Sequence, residues 1–171
     1  MKCSAKKFSF ICENSHSFDK SPSKLIRNQW CKLCKNTTEK KLYEWLNSKY
    51  KEVKSQICYD WCINKTFLPF DFQISNIIIE LDGKQHFQQV WNWISPDQTR
   101  ARDKFKMLKA LENNLSIIRI YQPDVYGNTI DWKNILEEKI NLCMASPSQK
   151  IIYICGNPDM YNPYRDDYPD Q

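Results

Sequence analysis

Two strand-like segments, Thr66 to Ile74 and Asn76 to Asp82, meet at Ser75-Asn76, and this junction constrains the chain more than any other feature. Ser75-Asn76 reads as a two-residue hairpin turn. Such a turn pairs Ile74 with Ile77 and sets Asp71 opposite Glu80. A four-residue loop gives the same register; a three-residue loop does not. In that register Phe70 and Phe72 face Leu81 and Ile79 on one side. Asp71, Glu80 and Asp82 share the other. Cross-strand neighbours sit about 4.5–5.5 Å apart, and like charges there repel. Three carboxylates on one face therefore need positive charge. A divalent cation supplies it, and oxygen donors at this spacing suit Mg²⁺. The competing reading is an exposed acidic face beside lysines.

The second segment runs on into Gly83-Lys84-Gln85-His86-Phe87. His86 follows the carboxylates at once and is a candidate general base near neutral pH. Lys84 shares strand parity with Glu80 and Asp82 unless Gly83 breaks it, and would contact a phosphate or orient water. Upstream, Asn36 and Glu39 stand at capping-box spacing, and Leu42, Trp45, Leu46 and Tyr50 recur at helical intervals. This predicts a helix ending near Tyr50. Val53 to Ile63 is mixed, with a turn at Tyr59-Asp60. A second helix is expected from about Asp97 to Asn113, with Ala101, Phe105, Leu108 and Leu111 on its apolar face. Asp103 and Lys106 are neighbours on that helix. Leu115 to Ile120 reads as a strand, Trp132 to Met144 as a helix, and Ile151 to Cys155 as a strand. The segment from Asn157 to Gln171, rich in Pro, Asp and Tyr, reads as an irregular wrap or as partly disordered.

Cysteine spacing points to a second, separate centre. The chain has 8 cysteines, and Cys12, His16, Cys31 and Cys34 form C-x3-H-x14-C-x2-C. Two close pairs joined by a loop match a tetrahedral, closed and therefore structural zinc site. Cys3 is an alternative to Cys12, and the competing reading is free thiols with a surface histidine. Phe8, Phe10, Phe18, Leu25, Ile26 and Trp30 supply a miniature core that needs the ion to fold.

Composition sets outer bounds. At 171 residues, 42% of them hydrophobic, the chain is long enough to build a core. Its 3 glycines and 8 prolines exclude a collagen-like or low-complexity chain. No apolar run approaches the roughly 20 residues of a membrane helix. The first seven residues lack the apolar core of a secretion signal, which predicts an intracellular protein. A net charge of +5 permits a nucleic-acid partner without demonstrating one.

The motifs, taken in order, resemble the PD-(D/E)xK nucleases. They are most similar to the very-short-patch-repair and phage-type homing endonuclease branch, EDxHD. That branch carries a helix glutamate, an LP-x-D strand, an IExDGxQHF strand, a D-x-x-K helix and an LIRI strand. Here stand Glu39, Leu68-Pro69-Phe70-Asp71, Ile79-Glu80-Leu81-Asp82-Gly83-Lys84-Gln85-His86-Phe87, Asp103-Lys104-Phe105-Lys106 and Ile117-Ile118-Arg119-Ile120. The resemblance covers Thr38 to Tyr121, and its most specific piece is the DGxQHF block. A zinc knuckle ahead of such a nuclease is similar to proteins of phages and large DNA viruses, whose setting would be the host cell. One departure is plain: Glu80-x-Asp82 lacks the (D/E)xK lysine, and Lys84 comes two residues later.

The resemblance implies an α/β (α+β) fold with an αβββαβ core. It divides the chain into a zinc knuckle (1–36), a nuclease domain (37–156) and a tail (157–171). It implies Mg²⁺- or Mn²⁺-dependent hydrolysis of DNA by a monomer or homodimer, with RNA in place of DNA as the open alternative. Asp71 with Glu80 or Asp82 would hold the ion, and His86 would take a proton from water. Glu39, Lys84, Asp103 and Lys106 would complete the site. The runner-up is a nucleic-acid-binding protein that does not cleave; a third reading is a zinc-stabilised interaction protein. Trp30, Trp91 and Trp93 are candidates for base stacking, against a packing role.

Overall fold

A computed structural model describes residues 8–11, 17–22, 25 and 37–170. The chain divides into two compact units, Met1–Lys41 and Leu42–Gln171. In the first, β1 (Phe8–Ile11) and β2 (Ser17–Lys20) pair antiparallel with Phe10 opposite Phe18. The expected zinc ligands Cys12, His16, Cys31 and Cys34, their alternative Cys3, and Trp30 lie outside the described residues. The division falls inside α1 (Thr37–Lys49), which ends within a residue of its expected end.

The second unit is built on a five-stranded mixed sheet. Its strands are β3 (Lys54–Ile57), β6 (Phe70–Ile74), β7 (Ile77–Asp82), β8 (Ser116–Tyr121) and β9 (Ile151–Ile154), hydrogen-bonded in that order. The first three are antiparallel and the last three parallel. Parallel neighbours need long crossovers. α2 (Pro96–Glu112) links β7 to β8, and α3 (Gln122–Gly127) with α4 (Trp132–Ala145) links β8 to β9. The fold is thus mixed α/β. Among the described residues, no helix is long and apolar enough to cross a membrane.

Strand alternation sorts the core into two layers. Phe72, Ile77, Ile79, Ile118 and Ile120 pack against Leu42 and Leu46 of α1 and Trp132, Leu136 and Ile140 of α4. Ile78, Ile117, Ile151 and Tyr153 point the other way, onto Met107 and Ala110 of α2. The run Ile77-Ile78-Ile79 is fully buried because both faces of β7 are covered.

The β6–β7 hairpin has the expected register, with Ile74 paired to Ile77 and Phe72 to Ile79 across Ser75-Asn76. Three details differ from expectation. The first strand is not continuous from Thr66: β4 (Ile63–Asn64) and β5 (Thr66–Phe67) form a small separate hairpin, and β6 starts at Phe70. Pro69 has no N–H to donate to a ladder. Phe70 also leaves the Phe72 side and joins the α2 layer. The β6–β7 pairing stops at Phe72, so the expected pairs of Asp71 with Glu80 and Phe70 with Leu81 do not form: the Leu81 N–H, which a continued ladder would use, donates to Asp71 Oδ2 at 2.9 Å.

Candidate active site

β7 delivers Glu80 and Asp82 at its C-terminal end, beside the parallel strand β8. Ligand sites in open α/β sheets lie at such ends. A 3₁₀ turn, Lys84–His86, follows directly and carries His86 back toward the strand end. α2 approaches from the covered side. Its start is fixed by Ser95, which accepts from the Gln98 N–H at 3.3 Å, and by Pro96 in its first turn. The residues it buries are Thr99, Asp103, Lys106, Met107 and Ala110. This corrects the expected apolar face: Ala101 and Leu108 are exposed, and Phe105 and Leu111 half-buried. The helix turns charged residues inward because their partners await them there.

Those partners form one network. Arg119 of β8, 0% exposed, donates through Nε to Asp82 Oδ2 (2.8 Å) and through Nη2 to Asp82 Oδ1 (2.6 Å). The same Nη2 lies 3.0 Å from Asp103 Oδ2. His86 Nδ1 meets Asp103 Oδ2 at 2.6 Å and stands 3.6 Å from Asp82 Oδ1. Tyr161 donates to Asp82 at 2.9 Å and Tyr164 to Asp103 at 2.8 Å. Beside this network Lys106 Nζ contacts Glu80 Oε1 at 2.5 Å, donates to the Pro69 carbonyl at 2.7 Å, and lies 4.7 Å from the Phe70 ring centre.

An open cleft of about 340 Å³ exposes the edge of the network. Asp71, Glu80, Asp82, Gln85, His86, Arg102, Asp103 and Lys106 line it, together with the β5–β6 connection at Leu68 and Pro69. Trp93 and Ile94 border an adjoining hollow that shares Gln85, His86 and Arg102, and Trp91 is exposed.

Burial and charge set opposite protonation tendencies in this small space. Burial pushes the Glu80 carboxyl up to about 8, outweighing the nearby Lys106 ammonium. Burial likewise raises Asp71, against the Leu81 N–H that it accepts. Asp103 is also buried, yet the Arg119 guanidinium and the His86 hydrogen bond hold it well below the usual carboxylate range. Burial alone would depress His86; the charge of Asp82 and the Asp103 hydrogen bond outweigh it and raise the imidazole. Arg119 is desolvated too, but Asp103 and Asp82 keep it firmly charged.

Six of the eight expected catalytic residues, Asp71, Glu80, Asp82, His86, Asp103 and Lys106, meet in this cleft. Lys84 does not. It is exposed on the 3₁₀ turn, because Gly83 ends the strand and its parity, and the lysine beside Glu80 is Lys106 from α2. Glu39 stands in the first turn of α1, in the first unit, whereas all residues lining the cleft belong to the second. The charge that offsets the three hairpin carboxylates within the protein is Arg119 and Lys106. Sequence reasoning assigned no role to Arg119, Tyr161 or Tyr164. Arg119 carried a signal, a lone charge inside an apolar strand, which implies a buried partner.

The chemistry of the donors distinguishes two candidate cation sites. Asp82, His86 and Asp103 offer ligand atoms within 4.8 Å of one another. Arg119 and the tyrosines already occupy those carboxylates, and the guanidinium opposes a second cation. Asp71 and Glu80 form the other pair. Glu80 Oε1 is buried and makes no hydrogen bond of good geometry, despite its short contact with Lys106. Asp71 and Glu80 both line the cleft, and a hard cation seated there would displace the Glu80 proton and compete with Lys106 for that carboxylate. No protein-family model matches this chain, and no curated protein matches it.

Proposed function

We propose that this protein is a divalent-cation-dependent nuclease that hydrolyses phosphodiester bonds in DNA. The observation that carries the reading is the convergence of Asp71, Glu80, His86, Asp103 and Lys106 on one cleft from β6, β7, a 3₁₀ turn and α2. Support also comes from the element order. With the small β4–β5 hairpin set aside as an insertion, α1, β3, β6, β7, α2 and β8 follow the helix, three strands, helix, strand arrangement of the nucleases that the motifs resemble.

Asp71 and Glu80 are the residues that would hold Mg²⁺ or Mn²⁺. Such an ion, when bound, lowers the pKa of water and offsets charge on a scissile phosphate. The chain's own groups do the rest. Asp103 engages His86 Nδ1, so Nε2 is the nitrogen left to take a proton from water. Lys106 offers positive charge to a phosphate oxygen in a partly buried site, where it counts for more than in water. Arg119 holds Asp103 well below the usual carboxylate range, so that it orients the imidazole and does not compete for its proton, and the same guanidinium forks onto Asp82.

We further propose that Cys12, His16, Cys31 and Cys34 bind a structural zinc in the N-terminal unit. Plasmid cleavage by the full chain with Mg²⁺, Mn²⁺ or EDTA tests the nuclease reading, beside Asp71→Ala. Cleavage that requires both the ion and Asp71 supports it. Cutting by Asp71→Ala overturns the role of Asp71. A second reading, binding without cleavage, is favoured by the network being largely neutralised from within by Arg119 and Lys106. It predicts a gel shift of DNA that is indifferent to Mg²⁺.

A further inference from the structure

Three tyrosines of the α2 layer, Tyr153, Tyr161 and Tyr164, pack with ring centres 4.8 to 6.2 Å apart. A buried phenol needs a hydrogen-bond partner. Tyr153 finds it in a backbone carbonyl, that of Tyr168, at 2.9 Å. Tyr161 and Tyr164, both 0% exposed, instead donate to the two carboxylates that flank His86. Both come from short turns after β9, residues 158–165, far along the chain from the rest of the site.

The placement of those hydroxyls is specific. Tyr164 donates to Asp103 Oδ2, the same oxygen that receives His86 Nδ1 and Arg119 Nη2. Tyr161 donates to Asp82 Oδ2, which also receives Arg119 Nε. The last torsion of an aspartate is broad, so a carboxylate held by one donor can turn. Each donor from a further element narrows that torsion, and Tyr164 adds a third to Asp103 Oδ2 beside His86 and Arg119. The same rings hold the turn that bears His86: Phe87 packs edge-on to Tyr161 at 5.1 Å and to Tyr164 at 6.0 Å.

We propose that the C-terminal segment is part of the active centre, with Tyr161 and Tyr164 as positioning residues. They fix the carboxylates of Asp82 and Asp103 and, through Asp103, the ring of His86. The effect on turnover rests on the nuclease reading; the orientation of the imidazole does not.

Tyr164→Phe and Tyr161→Phe remove each hydroxyl and keep its ring, and Tyr153→Phe removes the hydroxyl that bonds only backbone. Two readouts are made on the full chain. One is kcat and KM for metal-dependent plasmid cleavage. The other is the pair of imidazole ¹⁵N shifts of His86, one of only two histidines, assigned with His86→Gln. The proposal expects kcat to fall tenfold or more in Tyr164→Phe, with KM within about twofold of wild type. It expects the His86 nitrogen shifts to move in Tyr164→Phe and neither readout to move in Tyr153→Phe. Unmoved His86 shifts in both Tyr161→Phe and Tyr164→Phe overturn the proposal, as does an equal loss in Tyr153→Phe. If the wild type cuts no substrate, the nuclease reading fails, and the nitrogen shifts still decide the positioning role.

Discussion

Replacing Arg119 by methionine keeps most of the side-chain volume and removes the guanidinium shared by Asp82 and Asp103. Both carboxylates are nearly fully buried, and Arg119 is 0% exposed. Removing one partner of a buried ion pair costs about 3–5 kcal/mol, because the remaining charge stays buried without compensation. Whole domains are stable by about 5–15 kcal/mol, so the loss is a large share. At about 2–4 °C per kcal/mol for a chain of this size, Arg119→Met should melt about 6–20 °C below wild type near pH 7. The pH dependence gives a second check. Arg119 holds Asp103 well below its ordinary range, so the stability that this contributes is full above the unfolded carboxylate value. It is lost as the pH falls through the folded value. The gap between wild type and Arg119→Met should therefore narrow on acidification. Thermal melts by circular dichroism from pH 3 to pH 8 measure it. A melting point within about 2 °C of wild type near pH 7, or a gap that widens as pH falls, refutes the reasoning.

Glu80 gives the opposite sign. Its carboxyl is pushed up to about 8, so the proton that it retains on folding stabilises the fold below the ordinary carboxylate range. That stability is lost as pH rises through about 8, and without divalent cation Glu80→Gln should gain on wild type between pH 5 and pH 9 in thermal melts. Asp71→Asn should abolish metal-dependent cleavage and leave DNA binding within a few-fold, read by gel shift in EDTA. Native mass spectrometry should find one zinc per chain, lost in Cys31→Ser and Cys34→Ser; retention of zinc in both variants would discard the ligand set. His86→Gln should lower kcat by about 10²–10⁴-fold, the range of a lost general base, in single-turnover cleavage assays.

The hairpin was legible in the sequence because its determinants are local. A two-residue turn and period-two alternation set the pairing of Ile74 with Ile77, Gln73 with Ile78 and Phe72 with Ile79; beyond Phe72 the ladder ends, and tertiary contacts place Asp71. Helical spacing likewise identified α1, and the three-residue step placed Asp103 and Lys106 on one face of α2. The inward face of α2 was misjudged for a physical reason: apolarity ranks faces only while charges remain unpaired. Once Arg119, His86 and Glu80 stand opposite, the face bearing Asp103 and Lys106 is the one that gains from burial.

What only tertiary structure decided is which charges meet. Asp82 and Arg119 are 37 residues apart, Asp103 and Tyr164 are 61 apart, and Asp82 and Tyr161 are 79 apart. No periodicity reaches that far; such contacts exist because β7 and β8 are parallel neighbours and the chain beyond β9 folds back over α2's layer. The local pattern determined which residues bear the chemistry. Packing determined that Lys106 and not Lys84 stands beside Glu80. It also determined that a guanidinium ties two of the carboxylates together, and that two tyrosines at the end of the chain complete their hydrogen bonds.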